Sequence, residues 1–179
     1  MPGIACLGWG SLVWNPKNLP TIGPWRTDGP LLCLEYARQS VDGRLTLVIV
    51  GNGVAVPTMW VELQVSNLKA GIEALREREG TNAAMIGRWT RDNPDIAQSE
   101  IGEWGMQQRF DAVVWTALPP RFGGENNRQP SADEACAYLA SLCDAEKRLA
   151  EEYIRRTPPQ VRTRYRAIFE TKLGWSGGT

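Results

Sequence analysis

Up to residue 118, apolar residues come in short runs separated by turn-forming stretches; beyond residue 130 they recur at helical spacing. Residues 4 to 7 read as a buried strand that ends in the turn Gly8-Trp9-Gly10-Ser11. Residues 15 to 30, with Pro16, Pro20, Pro24 and Pro30, read as loop. Residues 31 to 40 and 45 to 50 are β-rich and flank Val41-Asp42-Gly43-Arg44, whose Asp-Gly pair predicts a hairpin. Residues 58 to 65 and 111 to 118 bring the strands to five. Residues 81 to 109 have no clear period and suggest short helical pieces. Pro119-Pro120 then opens a polar loop that runs to Pro130.

Three helices complete the pattern. One covers residues 66 to 78, capped by Ser66 and stopped by Gly80. Ser131-Ala132-Asp133-Glu134 is a capping box that opens a long helix to about Arg156. Pro158-Pro159 breaks it, and residues 161 to 173 form the last helix. Strands joined by hairpin-length turns, with helices gathered late, predict an α+β protein with a mixed or antiparallel sheet. A small closed or half-closed barrel and an open sheet fit this pattern equally well.

The first helix carries the candidate chemistry. Leu68, Ile72 and Leu75 recur at i, i+4 and i+7 and define an apolar stripe. At about 100° per residue, Glu79 falls within roughly 20° of Leu68 on that stripe, while Glu73 and Glu77 point the other way. A carboxylate ending a core-facing stripe is partly desolvated, which favours its neutral form unless a partner compensates. Such a group suits proton transfer near neutral pH. Two other readings stay open: the side chain curls into solvent, or it pairs with Arg76, Arg78 or Arg88. Glu146 also falls on an apolar side, among Leu139, Leu142, Cys143, Leu149 and Tyr153 of the long helix. It is a second candidate carboxylate or a buried ion-pair partner, and spacing does not rank the two.

Composition narrows the chemistry further. The 179 residues suit one domain and contain no histidine, which excludes Ser-His-Asp and Cys-His triads and any zinc site of the ordinary histidine type. Lys+Arg and Asp+Glu are each 20, so no net charge draws the chain to nucleic acid or an anionic membrane. The longest apolar run, residues 45 to 50, is far too short to cross a bilayer. No basic, apolar leader pattern follows Met1-Pro2-Gly3, so the expected location is cytoplasmic. Cys6, Cys33, Cys136 and Cys143 lack paired spacing and read as buried free thiols.

Glycines in the turn after the first strand let the backbone approach a ligand, and successive N–H groups there suit a carboxylate or phosphate. The Gly-Lys-[Ser/Thr] ending of a P-loop is absent. A plain tight turn is the competing reading. The segment Leu7-Gly8-Trp9-Gly10-Ser11-Leu12-Val13-Trp14-Asn15-Pro16 resembles the N-terminal signature of the gamma-glutamylcyclotransferase-like superfamily, in particular its ChaC-like branch. Leu75-Arg76-Glu77-Arg78-Glu79-Gly80 resembles the family segment that ends in the catalytic glutamate. Ala112-Val113-Val114-Trp115 resembles a late strand bearing an aromatic substrate contact. These matches appear in the family's order and run from residue 7 to about 118; the helical part, residues 131 to 179, has no motif to place.

The resemblance implies one domain over residues 1 to 179, built on a small mixed or antiparallel β-barrel with packed helices and a helical C-terminal extension. It implies conversion of a gamma-glutamyl amino acid, peptide or amine, glutathione among them, to 5-oxoproline and the released amine, without cofactor or metal. It singles out Glu79 as the general acid/base and places Gly8, Trp9, Gly10, Ser11, Leu12 and Trp115 against the substrate. Trp9 and Trp115 stand where the family more often has Tyr, which keeps a flat wall and an N–H but removes a hydroxyl acceptor. A non-catalytic small-molecule binding or partner-interaction domain is the reading those departures favour. Arg38 and Ser40 alternate on one face of their strand and read either as pocket residues or as surface positions. Eight tryptophans are expected mostly in the core.

Overall fold

The computed structural model describes residues 3–93 and 99–177. Along the chain run β1 (Ile4–Gly8), α1 (Ser11–Trp14), β2 (Thr21–Arg26), β3 (Leu31–Gln39), β4 (Leu45–Ile49), β5 (Val54–Pro57), β6 (Met59–Leu63) and α2 (Leu68–Glu79). A 3-10 turn (Ala83–Met85) precedes β7 (Ile86–Thr90), α3 (Ser99–Gln107), β8 (Ala112–Thr116), β9 (Arg121–Phe122), β10 (Glu125–Asn126), α4 (Ala132–Ser141), α5 (Asp144–Arg156) and α6 (Arg164–Leu173). The described residues gather into two compact units. The first holds residues 3–8, Asn15–Leu31 and Pro57–Leu118; the second holds Trp9–Trp14, Leu32–Val56 and residues 119–177.

The first unit is a mixed five-stranded sheet in the order β2-β6-β1-β8-β7. β1 pairs antiparallel with β6 and parallel with β8. Its two faces carry different helices. Gly71 of α2 lies against Ile4 and Leu63, and Ile4 and Cys6 register with Ala112 and Val114, so α2 covers the face these residues share. Gly105 of α3 lies against Trp89 and Val113 on the opposite face. There Trp60, Trp104 and Phe110 pack at centroid separations of 5.1 to 5.6 Å. The indoles of Trp60 and Trp104 donate to the side chain and the carbonyl of Asp28.

The second unit has the sheet β10-β9-β3-β4, with β5 also paired to β3, and α4, α5 and α6. Its core contains Leu34, Tyr36, Leu139, Ile154 and Phe169, all fully buried. Tyr36 and Phe169 meet edge to face at 5.4 Å, and the Tyr36 hydroxyl donates to Thr157 at 3.0 Å. Burial pushes the Tyr36 phenol far above its ordinary range, so it stays a neutral donor.

The α+β class and the mixed sheets are as the sequence implies, and the five expected strands form. Among the described residues each sheet is open, and no closed barrel is seen. Several local expectations need correction. Residues 15 to 30 are not all loop, because β2 pairs with β6; Pro24 is tolerated since β2 is an edge strand with an irregular register between Ile22 and Arg26. Within 81 to 109 the expected short helical pieces form, the 3-10 turn and α3, but strand β7, paired with β8, was not expected. Residues 94 to 98 of that stretch lie outside the described residues. Asn67, not Ser66, caps α2, accepting from the Ala70 amide at 3.0 Å. The long helix is two, α4 and α5, separated by the extended Leu142 and by Cys143, which is exposed. Cys33 is half-buried, while Cys6 and Cys136 are buried. The Ser131–Glu134 capping box and the left-handed Gly80 (φ 63°) are present. No described helix is long and apolar enough to cross a membrane.

Candidate active site

The buried face of α2 is formed by Gly71, Leu75 and Arg78; Leu68 and Ile72 are half-buried. The face is thus rotated from the stripe that the leucines alone define, and it ends on an arginine. Glu73 and Glu77 are exposed as expected. Glu79 closes the helix beside the buried face, with 16% of its side chain accessible against 7% for Arg78. Arg78 Nη1 donates to Glu79 Oε1 at 2.8 Å, so of the readings open for this glutamate the structure has the one that pairs it with an arginine.

Arg78 is itself held. Its Nε and Nη2 donate to the Asn15 carbonyl at 3.2 and 2.7 Å. Lys17 Nζ caps the C-terminal end of α2 through the Arg78 carbonyl at 3.4 Å, in keeping with the negative pole there. Cys6 of β1 lies under this pair. Burial and the Glu79 charge push its thiol well above the ordinary range, with Arg78 opposing. A thiol held protonated there is a packing group, not a nucleophile. Gly8 follows two residues on, so by alternation it shares the face of β1 that Cys6 occupies. Both flanks of the N-terminal turn, Gly8 and Asn15, therefore belong to the unit that carries Glu79.

The turn itself belongs to the second unit. Trp9 is buried and donates its indole N–H to the Leu47 carbonyl at 3.2 Å, so this donor is committed internally. Ser11 begins α1, Leu12 is buried beneath it, and the Gly10 carbonyl accepts from the Val13 amide at 2.9 Å. Gly10 is required by close approach: a Cβ there would stand 2.2 Å from the Tyr153 hydroxyl. Tyr153 is buried, edge-on to Trp14 at 5.4 Å, and accepts from the Leu47 amide at 3.3 Å. It therefore cannot swing aside freely. Gly10→Ala is expected to destabilise the fold by about 1–3 kcal/mol through overpacking. Tyr153→Phe, which removes the clashing oxygen, should recover part of that loss in the double variant. Chemical denaturation of the four proteins of this cycle measures the coupling, and strictly additive effects would refute the contact as the cause.

Trp115 sits on β8 in register with Gly87, on the face covered by α3, whereas Glu79 ends the helix on the other face. The structure does not bring these two side chains together. The Trp115 ring lies directly over Gly87, where a Cβ would come within 2.2 Å of it. The indole nitrogens of Trp115 and Trp89 are buried with no acceptor among the described residues. Glu146 is half-buried against Gly43 of the β3–β4 turn. Leu149, expected on the same apolar side, is exposed, because α5 buries Ala150, Tyr153 and Ile154 instead. Arg38 donates to the Pro119 carbonyl at 2.8 Å, and burial lowers its proton affinity. Ser40 bonds Asp42 and the Arg44 carbonyl as a turn residue.

Sequence reasoning named Arg78 only among three possible partners, without placing it on the buried face, and missed Asn15 and Tyr153. Arg78 was discoverable, since it continues the i, i+4, i+7 series through Gly71 and Leu75 once glycine counts as a packing position. Among the described residues, no group of histidine, cysteine or carboxylate side chains is arranged to hold a metal ion. Compared with protein-family models, with curated proteins and with solved structures, the chain finds no match.

Proposed function

We propose that this protein is a gamma-glutamyl cyclotransferase, closing the gamma-glutamyl group of an amino acid, peptide or amine to 5-oxoproline, with Glu79 as the general acid/base. One observation carries the reading: a carboxylate at a helix terminus, largely shielded from solvent, fixed at 2.8 Å by an arginine that is itself anchored on the Asn15 carbonyl. The reaction needs no cofactor. The substrate's α-ammonium loses a proton to Glu79, and the freed amine attacks the γ-carbonyl. As the ring C–N bond forms and the old C–N bond breaks, the leaving nitrogen takes that proton. The second proton, lost by the ring nitrogen as it becomes the lactam N–H, passes through Glu79 to the departing amine. Holding the flexible γ-glutamyl arm in its ring-closing shape supplies several kcal/mol. The reading assigns the amides of Gly8, Trp9, Gly10, Ser11 and Leu12, with the Ser11 hydroxyl, to the substrate carboxylate or the oxyanion. It gives up Trp115 as a wall of this site, because that ring lies on the sheet face away from α2. Kinship with the cyclotransferase-type fold, a single functional domain over residues 1 to 179 and a cytoplasmic site of action belong to the same proposal.

A second reading, a non-catalytic small-molecule binding domain, is favoured by the tryptophans. The Trp9 indole is spent on Leu47, and Trp115 lies on the sheet face away from α2. Incubation with a panel of gamma-glutamyl amino acids, gamma-glutamyl amines and glutathione separates the two. Release of 5-oxoproline, followed by chromatography, is the expected result. Ligand binding without product from any member of the panel would favour the binding domain.

A further inference from the structure

The second unit contains a cleft of about 930 Å³ between the end of α5 and the start of α6, closed on one side by Ser176 and Gly177. Its volume is in the range that takes a small organic molecule. Four arginines line it, Arg155, Arg156, Arg162 and Arg166, against the single carboxylate of Glu170. Three of the four are paired with carboxylates, Arg155 with Glu151, Arg156 with Glu152 and Arg166 with Glu170, so the unmatched positive charge of the lining is that of Arg162.

Two of the guanidinium groups are built into the wall. Arg166 is buried; its Nη1 donates to the carbonyls of Pro158 and Val161 at 2.8 and 3.0 Å, and its Nε lies 3.3 Å from Glu170. Its Nη2 stands against Gly177, where a Cβ would come within 2.9 Å of it. Arg155 is fixed by Glu151 and by the carbonyls of Gly174 and Ser176. Arg156 pairs with Glu152 and lies over the Trp14 ring. Glu151 and Glu152 are not part of the lining. Arg162 differs: it is exposed, and its side chain has no partner among the described residues.

The helix end does not account for the charge. The first-turn amides of α6 are taken within the protein: Tyr165 N donates to Glu35, Arg164 N also faces Glu35, and Arg166 N donates to Thr163 Oγ1. A ligand in this cleft must be recognised by guanidinium groups. Planar guanidinium forks suit oxyanions, and a tetrahedral phosphate accepts them from several sides at once, whereas a carboxylate offers two oxygens in one plane.

We propose that this cleft binds a phosphorylated small molecule, with Arg162 as the residue that closes onto the phosphate from solvent. The fixed orientation of Arg155 and Arg166 means that little side-chain freedom is lost on binding there.

Titration calorimetry at constant ionic strength, with pyrophosphate, inorganic phosphate and citrate as probes, tests the site. Pyrophosphate is expected to bind the wild-type protein. Binding should weaken about tenfold or more in Arg162→Ala, as expected for loss of one charge-assisted hydrogen bond, and disappear in Arg162→Glu. The unliganded unfolding temperature should be unchanged in both variants because Arg162 holds nothing in place. Undetectable pyrophosphate binding at millimolar concentration, equal binding by all three proteins, or citrate binding as tight as pyrophosphate would overturn the proposal. None of these measurements uses 5-oxoproline formation, so they stand apart from the cyclotransferase reading.

Discussion

Glu79→Gln is expected to lower 5-oxoproline formation by about 10²–10⁴-fold, the range that a positioned acid/base contributes. Glutamine keeps the length and planarity of the side chain and one oxygen for Arg78, but it cannot take the proton from the substrate ammonium. The substitution also leaves a guanidinium with 7% exposure without its carboxylate, at a cost of about 1–3 kcal/mol. Unfolding must therefore be followed in the same buffer as kcat/KM, so that lost chemistry is not confused with lost protein. Glu146→Gln, made at the half-buried carboxylate beside Gly43, is the matched control and should retain turnover. Activity kept in the Glu79 variant and lost in the Glu146 variant would transfer the acid/base role to the second unit. If both variants turn over like wild type, neither carboxylate moves the proton.

The pattern of apolar residues was informative wherever one element buries its own face. The β3–β4 hairpin, β1, β6 and β8 are long enough, and apolar enough, to declare themselves. β2 and β7 are not: Pro24 and Gly23 mark the first as loop, and Gly87 and Arg88 interrupt the second. Both exist because a neighbouring strand offers a ladder, and Gly87 because the Trp115 ring needs its space. The break between α4 and α5 was hidden for a geometric reason. Leu139 and Ala150, both buried, are separated by about three full turns, so the apolar period passes through Leu142 and Cys143 without a change of phase. Periodicity cannot report a break that preserves it. At the candidate site the same limit applies to α2. The spacing brought Glu79 to the edge of the buried face but said nothing of Arg78, whose long apolar stem packs while its head pairs. What ranks Glu79 above Glu146 is the resemblance of residues 75 to 80 to a catalytic segment, not helical geometry.

Glu35→Ala is expected to cost about 3–5 kcal/mol of stability, the largest effect of any single change in the second unit. Glu35 is an acidic residue inside the apolar run of β3, 2% exposed, whose hydrogen-bond donors are a hydroxyl and backbone amides rather than a cation. Its Oε1 accepts from the Tyr36 amide at 2.9 Å and from the Thr163 hydroxyl at 2.7 Å, and its Oε2 accepts from the Tyr165 amide at 3.2 Å. The side chain thus serves as the anion at the N-terminus of α6 and ties β3 to that helix. Alanine would leave these donors buried without an acceptor, together with a cavity. Burial raises the Glu35 carboxyl above the ordinary carboxylate range, and the donors oppose that shift without cancelling it. The sign of the linkage follows from a folded-state pKa that exceeds the unfolded one. The contribution of Glu35 to stability is fully present below the unfolded value and is lost as pH rises through the folded one. Glu35→Gln cannot titrate, so it should lack this loss. Its stability deficit relative to wild type, from one amide nitrogen facing donors, should shrink as pH rises from the acid side through the raised carboxyl range. Urea unfolding at a series of pH values compares the two slopes. Parallel slopes would show that Glu35 titrates alike in both states and that the hydrogen bonds of Thr163, Tyr36 and Tyr165 fully offset its burial.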